Sequence, residues 1–114
     1  MPSKIYSLTI DAFDPPALAR FWAAVLDFKV TFEEPGETVI EGPDEKLAIL
    51  FGQAVDEKVS KNRLHLDLNP DDQDAEVERL TALGAKPVDI GQKDVTWVVM
   101  ADPEGNEFCV LRAR

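Results

Sequence analysis

The sequence predicts an α+β fold made of two βαβββ modules, and two observations support this. A turn-like segment followed by a strand occurs twice, at 42–51 and at 102–111, and the turn residues Asp44 and Asp102 lie 58 positions apart. The order strand, helix, strand, strand, strand also occurs twice along the chain. Because one such half-sheet is too small to close a hydrophobic core alone, we expect the two modules to pack together.

The first module is predicted over residues 1–55. Residues 5–11 alternate between apolar and polar side chains, which is typical of a half-buried strand. Asp14 followed by Pro15 is typical of a helix start, and apolar residues at helical spacing continue to Leu26. Three strands are predicted to follow, at 28–33, 37–41 and 47–51.

The same pattern restarts after a polar linker and predicts a second module over residues 61–114. Residues 63–68 alternate like the first strand, and residues 69–72 open a helix with acidic side chains that its dipole favours. Gly84 is the predicted C-cap of this helix. Three strands are predicted to follow, at 86–90, 95–101 and 107–111. By its length, the whole chain of 114 residues is predicted to form one domain.

The composition excludes several kinds of partner. The formal net charge is −10, from 12 basic and 22 acidic residues, which argues against nucleic acids and anionic membranes as partners. No apolar run reaches the roughly 18 residues that a membrane span needs. The N-terminal residues run directly into a predicted strand rather than a signal peptide, and the single Cys109 cannot form an internal disulfide. We therefore predict a cytoplasmic protein.

Three motifs give the chain a family resemblance. They are Asp14-Pro15 with Phe21-Trp22, then Leu64-His65-Leu66-Asp67, and finally Asp102-Pro103-Glu104-Gly105-Asn106-Glu107-Phe108. With these motifs the chain resembles the vicinal oxygen chelate superfamily, which includes glyoxalase I, extradiol dioxygenases, fosfomycin-resistance enzymes and bleomycin-resistance proteins. It is most similar to small glyoxalase-like and bleomycin-resistance-like domains. The resemblance implies curved mixed sheets that form a cup, and a homodimer.

The resemblance also implies positions for metal ligands, on the first and last strands of each module. These positions fall on Ser7, Phe51, His65 and Cys109. A catalytic divalent metal needs about three protein ligands, whereas serine is a poor ligand and phenylalanine is none. We therefore predict that the protein binds no metal and has no cofactor.

A ligand site is predicted inside the cup. His65 is expected to face it because Leu64 and Leu66 occupy the opposite face of the strand. Trp97, taken as the repeat partner of Val39, would offer a flat surface for stacking. The predicted lining comprises Ser7, Thr9, Val39, Phe51, His65, Trp97 and Cys109, with Glu107 at the rim.

These residues predict a metal-independent protein that binds a small organic ligand, with an aromatic one favoured. The alternative is a lyase or isomerase in which His65 acts with Asp67 or Glu107, with or without a divalent metal; His65 and Glu107 are its candidate catalytic residues. A third interpretation is a structural domain that acts through a dimer surface containing Trp22 and Phe28.

Overall fold

The chain folds into two compact units, Met1–Glu57 and Lys58–Arg114. The computed structural model describes residues 2–3, 5–44, 47–56, 58, 60–89, 91 and 95–113. Unit 1, as we call Met1–Glu57, contains β1 Ser7–Ala12, α1 Pro15–Leu26, β2 Lys29–Glu34, β3 Glu37–Glu41 and β4 Ala48–Gln53. Unit 2, Lys58–Arg114, contains β5 Leu66–Leu68, α2 Gln73–Leu83, β6 Lys86–Pro87, β7 Val98–Ala101 and β8 Glu107–Val110.

The two units have the same sheet topology. The strand order is β1-β4-β3-β2 in unit 1 and β5-β8-β7-β6 in unit 2. In each unit the first strand pairs in parallel with the last, and the remaining pairs are antiparallel. Each unit is thus a βαβββ module with a mixed four-stranded sheet, which confirms the predicted α+β fold.

The predicted caps at Asp14 and Gly84 are present, and the second helix begins after residues 69–72, with Asp72 as its N-cap. The Asp14 side chain accepts a hydrogen bond from the Ala17 N–H at 3.2 Å, and Pro15 is the first residue of α1. Asp72 caps α2 in the same way through the Ala75 N–H at 3.1 Å. Gly84 ends α2 with φ +119°, a left-handed conformation that glycine adopts without steric cost.

The core of unit 1 lies between α1 and the β3 and β4 strands. Trp22 is 2% exposed and packs edge-on against Phe21, with ring centroids 5.2 Å apart. Trp22 therefore belongs to the core and contributes no exposed side chain to the dimer surface of the third interpretation. The other fully or nearly buried apolar side chains of α1, β3 and β4 are Leu18, Ala19, Val25, Ile40, Ile49 and Phe51.

The helix of unit 2 contributes fewer buried side chains to its core than the helix of unit 1 does. Leu80 is the buried residue of α2, and the strands contribute Met100, Phe108 and Val110, which are each 0–1% exposed. None of the helices among the described residues is both long and apolar enough to cross a membrane.

Several strands of unit 2 are shorter than predicted. The predicted strand 63–68 is reduced to β5 at Leu66–Leu68, and the Asn62 N–H before it donates to the Glu107 carboxylate at 3.3 Å. The Gln73 side chain donates to the Thr96 carbonyl at 2.8 Å, just before β7 begins at Val98. The predicted strand 86–90 is reduced to Lys86–Pro87, and its residue 90 lies outside the described residues.

Candidate functional site

One face of the unit 2 sheet collects most of its polar side chains. In the register, Asp67 pairs with Cys109 across the parallel β5–β8 ladder, and Cys109 pairs with Val99 on β7. Paired residues share a face, and alternation adds His65 and Glu107 to it. We call this surface the polar face of unit 2. The opposite face carries Leu66, Met100, Phe108 and Val110.

Three side chains on this face form a cluster. The donor atoms of His65, Asp67 and Cys109 all lie within 4.8 Å of one another, and His65 Nε2 is 3.2 Å from Asp67 Oδ1. Cys109 is buried, whereas the side chains of His65 and Asp67 are 41% and 53% exposed. A fixed thiol therefore lies beside two side chains that can move.

The thiol of this cluster is held in its protonated form. Burial raises the pKa of Cys109, and so do the negative charge of Asp67 and the hydrogen bond that the thiol donates to it. The positive charge of Lys61 acts in the opposite direction but is outweighed. Because the thiolate is the reactive nucleophile, this environment does not favour covalent catalysis by Cys109.

The Glu107 carboxylate forms its contacts with groups other than His65. Its Oε2 pairs with Lys58 Nζ at 3.1 Å, and its Oε1 accepts a hydrogen bond from the Asn62 N–H at 3.3 Å. Burial raises the pKa of this carboxyl, but the hydrogen bonds from backbone N–H groups and from Lys58 outweigh burial and lower the pKa overall. Asp67, rather than Glu107, is thus the carboxylate that contacts His65.

The turn before β8 holds these residues in place. The Asp102 side chain is 4% exposed and accepts hydrogen bonds from the N–H groups of Glu104 and Asn106, both at 2.9 Å. Gly105 completes the turn with φ +87°. Asn106 in turn accepts a hydrogen bond from the Asn62 side chain at 2.8 Å. The turn was visible in the sequence as a motif.

The linker residues that reach this turn were not predicted. Lys58 and Asn62 lie in a polar segment whose composition indicates only solvent exposure, and Lys61 acts on Cys109 from the same segment. A lysine or asparagine in such a segment carries no sequence signal for a specific partner, so only the fold could reveal these contacts.

The equivalent face of unit 1 lacks such a cluster among the described residues. In the register, Leu50 pairs with both Thr9 and Val39, so these three share one face. Alternation along β1 adds the half-buried Ser7. The face therefore offers hydroxyls and apolar groups.

Phe51 does not line this face. It pairs with Ile10 and Thr38 on the opposite side of the sheet and is 0% exposed. Its predicted place beside Thr9 and Val39 is wrong because the repeat does not keep one spacing. Thr9 and Asp67 are equivalent at 58 positions apart, but Leu50 and Cys109 are equivalent at 59, and a slip of one residue reverses the face of a strand.

The number of positions between equivalent residues of the two units also changes on the third strand. Val39 pairs with Leu50 as Val99 pairs with Cys109, so Val39 corresponds to Val99, at 60 positions. The predicted equivalence of Val39 with Trp97 is therefore wrong. Trp97 lies two residues before Val99, just outside β7, and is 40% exposed.

Trp97 borders an open groove in unit 2. The groove has a volume of about 490 Å³. Its described lining residues are Pro87, Val88, Asp89, Val95, Trp97, Val98 and Val99. Apolar side chains dominate this lining, and Asp89 is its charged member.

The metal-ligand set implied by the family resemblance does not fit this chain. Ser7 offers only a hydroxyl, and the last-strand position in unit 1 falls on an apolar residue whether it is assigned to Phe51 or, by the observed register, to Leu50. His65 and Cys109 are the two donors left, which is fewer than a catalytic metal needs. The predicted use of one cup by residues of both modules stays a prediction, as do the homodimer and the cytoplasmic location.

Comparisons with known proteins agree with the fold. The family described as a glyoxalase-like domain matches residues 7–111. A glyoxalase/bleomycin resistance protein/dioxygenase family enzyme from Burkholderia phytofirmans is 20% identical, with a TM-score of 0.75, and the match covers 95% of this chain and 97% of that one. No curated protein sequence matches this one.

Two further solved structures are similar to this chain. A mutant of the fosfomycin resistance protein FosX from Listeria monocytogenes, complexed with Mn(II), is 16% identical over 100% of this chain and 93% of that one, with a TM-score of 0.76. Glyoxalase I from Leishmania major is 17% identical over 97% and 87%, with a TM-score of 0.66. At these identities the similarity shows the fold alone.

Proposed function

The chain belongs to the glyoxalase-like domain family, and on that premise we propose that it binds a small organic molecule with a planar apolar part. The binding place is the groove beside Trp97. Metal is not required, because none of the described lining residues except Asp89 carries a metal-donor side chain.

The exposure of Trp97 is the observation that supports this proposal. An indole that is 40% exposed beside valine and proline side chains leaves a flat apolar surface in contact with water. Covering such a surface with a planar ligand gains stacking and hydrophobic free energy. Ligand pockets commonly combine this kind of apolar lining with a few polar groups, and here Asp89 supplies one.

The charge of the groove narrows the ligand class. Asp89 lines the groove and the whole chain carries a net charge of −10, so an anionic ligand would be repelled. We therefore expect neutral or cationic planar compounds to bind best.

A neutral heteroaromatic probe tests the proposal. Quinoline is titrated into the full chain with a chelator present, and binding is followed by saturation-transfer NMR. We expect saturable binding that Trp97→Ala weakens about tenfold or more, since an aromatic contact contributes about 0.5–1.5 kcal/mol beyond its buried area.

Phe32→Ala is the matched control, because Phe32 is a 48% exposed aromatic side chain on β2 of unit 1. This variant should bind quinoline like the unmodified protein. Equal binding by the Trp97→Ala variant, or no saturable binding by the unmodified chain, would refute the proposal.

A second candidate function, a lyase or isomerase, is favoured by the 3.2 Å contact between His65 Nε2 and Asp67 Oδ1. A carboxylate that orients an imidazole is a common arrangement for moving a proton at neutral pH. Deuterium exchange at carbons next to a carbonyl group, in a panel of small ketones, would reveal such activity. An activity that survives in both His65→Ala and Asp67→Asn would eliminate this candidate.

A further inference from the structure

We infer, on the basis of the proposed function, that the ligand of the groove beside Trp97 carries a positive charge on or next to its planar ring, and that Asp89 recognises this charge. Trp97 and Asp89 line the same groove. The face of an indole and a carboxylate both attract a cation. The ligand class is thus a heteroaromatic ring with a quaternary or protonated nitrogen.

Two hydrogen bonds hold Asp89 at the groove. The Val88 N–H donates to the Val99 carbonyl at 2.9 Å, which ties the chain directly before Asp89 to β7. The Gly91 N–H donates to Asp89 Oδ1 at 2.8 Å, and Gly91 has φ +90°, which suits a short turn. The carboxylate is therefore held in place before a ligand binds, which lowers the entropic cost of binding.

The second carboxylate oxygen of Asp89 is available to a ligand. Within the described part of the chain, Asp89 forms no ion pair and its Oδ2 accepts no hydrogen bond. The described lining of the groove also contains no lysine or arginine that would neutralise the carboxylate. Because Asp89 is exposed, its charge faces solvent, and a ligand cation beside it would gain a charge-assisted contact.

The apolar part of the groove selects an organic cation over a hydrated metal ion. Trp97 is 40% exposed, and tryptophan is the side chain whose ring face attracts cations most strongly. Pro87 and Val98 add apolar surface beside it. A planar organic cation can contact the indole, these apolar groups and the carboxylate together, whereas a hydrated metal ion would use the carboxylate alone.

Two methylated quinolines separate the effect of charge from that of ring shape. N-Methylquinolinium carries a permanent positive charge, whereas lepidine has the same rings and a methyl group but is neutral at neutral pH. Each is titrated at low salt into the full chain with a chelator present, and binding is followed by saturation-transfer NMR. We expect N-methylquinolinium to bind about fivefold or more tightly than lepidine, through the cation–π contact and the exposed ion pair.

Asp89→Asn tests the role of the carboxylate. The amide keeps an oxygen that can accept the Gly91 N–H, so the turn should persist while the charge is lost. This variant should weaken N-methylquinolinium binding about threefold or more and leave lepidine binding unchanged.

Asp71→Asn is the matched control. Asp71 is an exposed acidic residue of unit 2 that is not among the described lining residues of the groove, and the substitution removes the same charge from the chain. Both affinities should stay unchanged in this variant. The control thus separates recognition by Asp89 from the general attraction of a chain with a net charge of −10.

Equal binding of the two probes would overturn the inference. So would a cation preference that Asp89→Asn leaves intact, or one that Asp71→Asn reduces as much. In these cases the proposed function would still hold, provided that lepidine binds saturably and Trp97→Ala weakens its binding. No saturable binding of either probe would refute the proposed function and the cation class together.

Discussion

Unit 1 and unit 2 have the same strand order and the same pairing, yet their equivalent positions carry different chemistry. Where unit 2 places Asp67 and Cys109 as partners, unit 1 places Thr9 and Leu50. The backbone of the module therefore does not determine the function of its sheet face. The unit 2 face carries the donor cluster of His65, Asp67 and Cys109, whereas the unit 1 face offers hydroxyls and apolar groups.

The units also differ in how they are stabilised. Unit 1 buries an apolar helix stripe that includes the Phe21–Trp22 pair, whereas Leu80 is the buried residue of α2. Unit 2 adds a polar network that joins the linker to the turn through Asn62 and Glu107. Apolar packing is the larger contribution to the stability of unit 1. Specific hydrogen bonds contribute more to the stability of unit 2 than to that of unit 1.

The largest predicted effect tests the face assignment in unit 1. Phe51→Ala should lower the free energy of unfolding by about 3–5 kcal/mol, because it removes a fully buried aromatic side chain beneath α1. Leu50→Ala, one residue away, should cost clearly less, since Leu50 is only half-buried on the opposite face. Urea denaturation measures both. Equal losses would mean that the register of β4 is not the one described.

The second prediction compares an ion pair from each unit. Glu107→Gln should lower the free energy of unfolding by about 1–3 kcal/mol, because Lys58 then lacks its charged partner in a pair whose side chains are 21% and 13% exposed. Glu33→Gln breaks the Arg20 pair of unit 1, whose side chains are 59% and 40% exposed, and should cost under about 1 kcal/mol.

Acid should also lower the free energy of unfolding that the Glu107–Lys58 pair contributes, as Glu107→Gln does. Since the pKa of Glu107 is lowered in the folded protein, its stabilisation is present above the ordinary pKa of glutamate, about 4.3, and is lost as the pH falls through the lowered value. Urea midpoints of the unmodified protein and Glu107→Gln, measured from neutral to acidic pH, should therefore converge. A difference that persists in acid would show that Glu107 stabilises the fold by packing alone.

The smallest effect is a gain in stability. The Thr38 hydroxyl is buried in unit 1 and has no hydrogen-bond partner among the described residues. Thr38→Val keeps the shape and removes the unpaired polar group, so it should raise the free energy of unfolding by about 1 kcal/mol. Thr9→Val, at an exposed strand position, should change it by less than about 0.5 kcal/mol. A loss of stability in Thr38→Val would indicate that the hydroxyl has a partner.

The candidate site could be predicted only in part. The family resemblance implies His65 and Cys109 as site positions, and strand alternation adds Asp67 to the face of His65. The cluster itself depends on the β5–β8 register, which no local pattern determines. Phe51 was assigned to the wrong face because one constant spacing was used for the repeat, while the observed spacing changes from 58 on the first strand to 59 on the last.

Local sequence patterns determined the type and order of the helices and strands of this protein. The caps at Asp14 and Gly84, the apolar periodicities and the repeated order of elements all depend on residues close together in the chain, so they can be read without a structure. Only the tertiary structure decided which side chains meet across strands and which linker residues reach the turn. Those contacts join residues some 40–50 positions apart, such as Lys58 with Glu107 and Asp67 with Cys109, and pairing at that distance follows from packing.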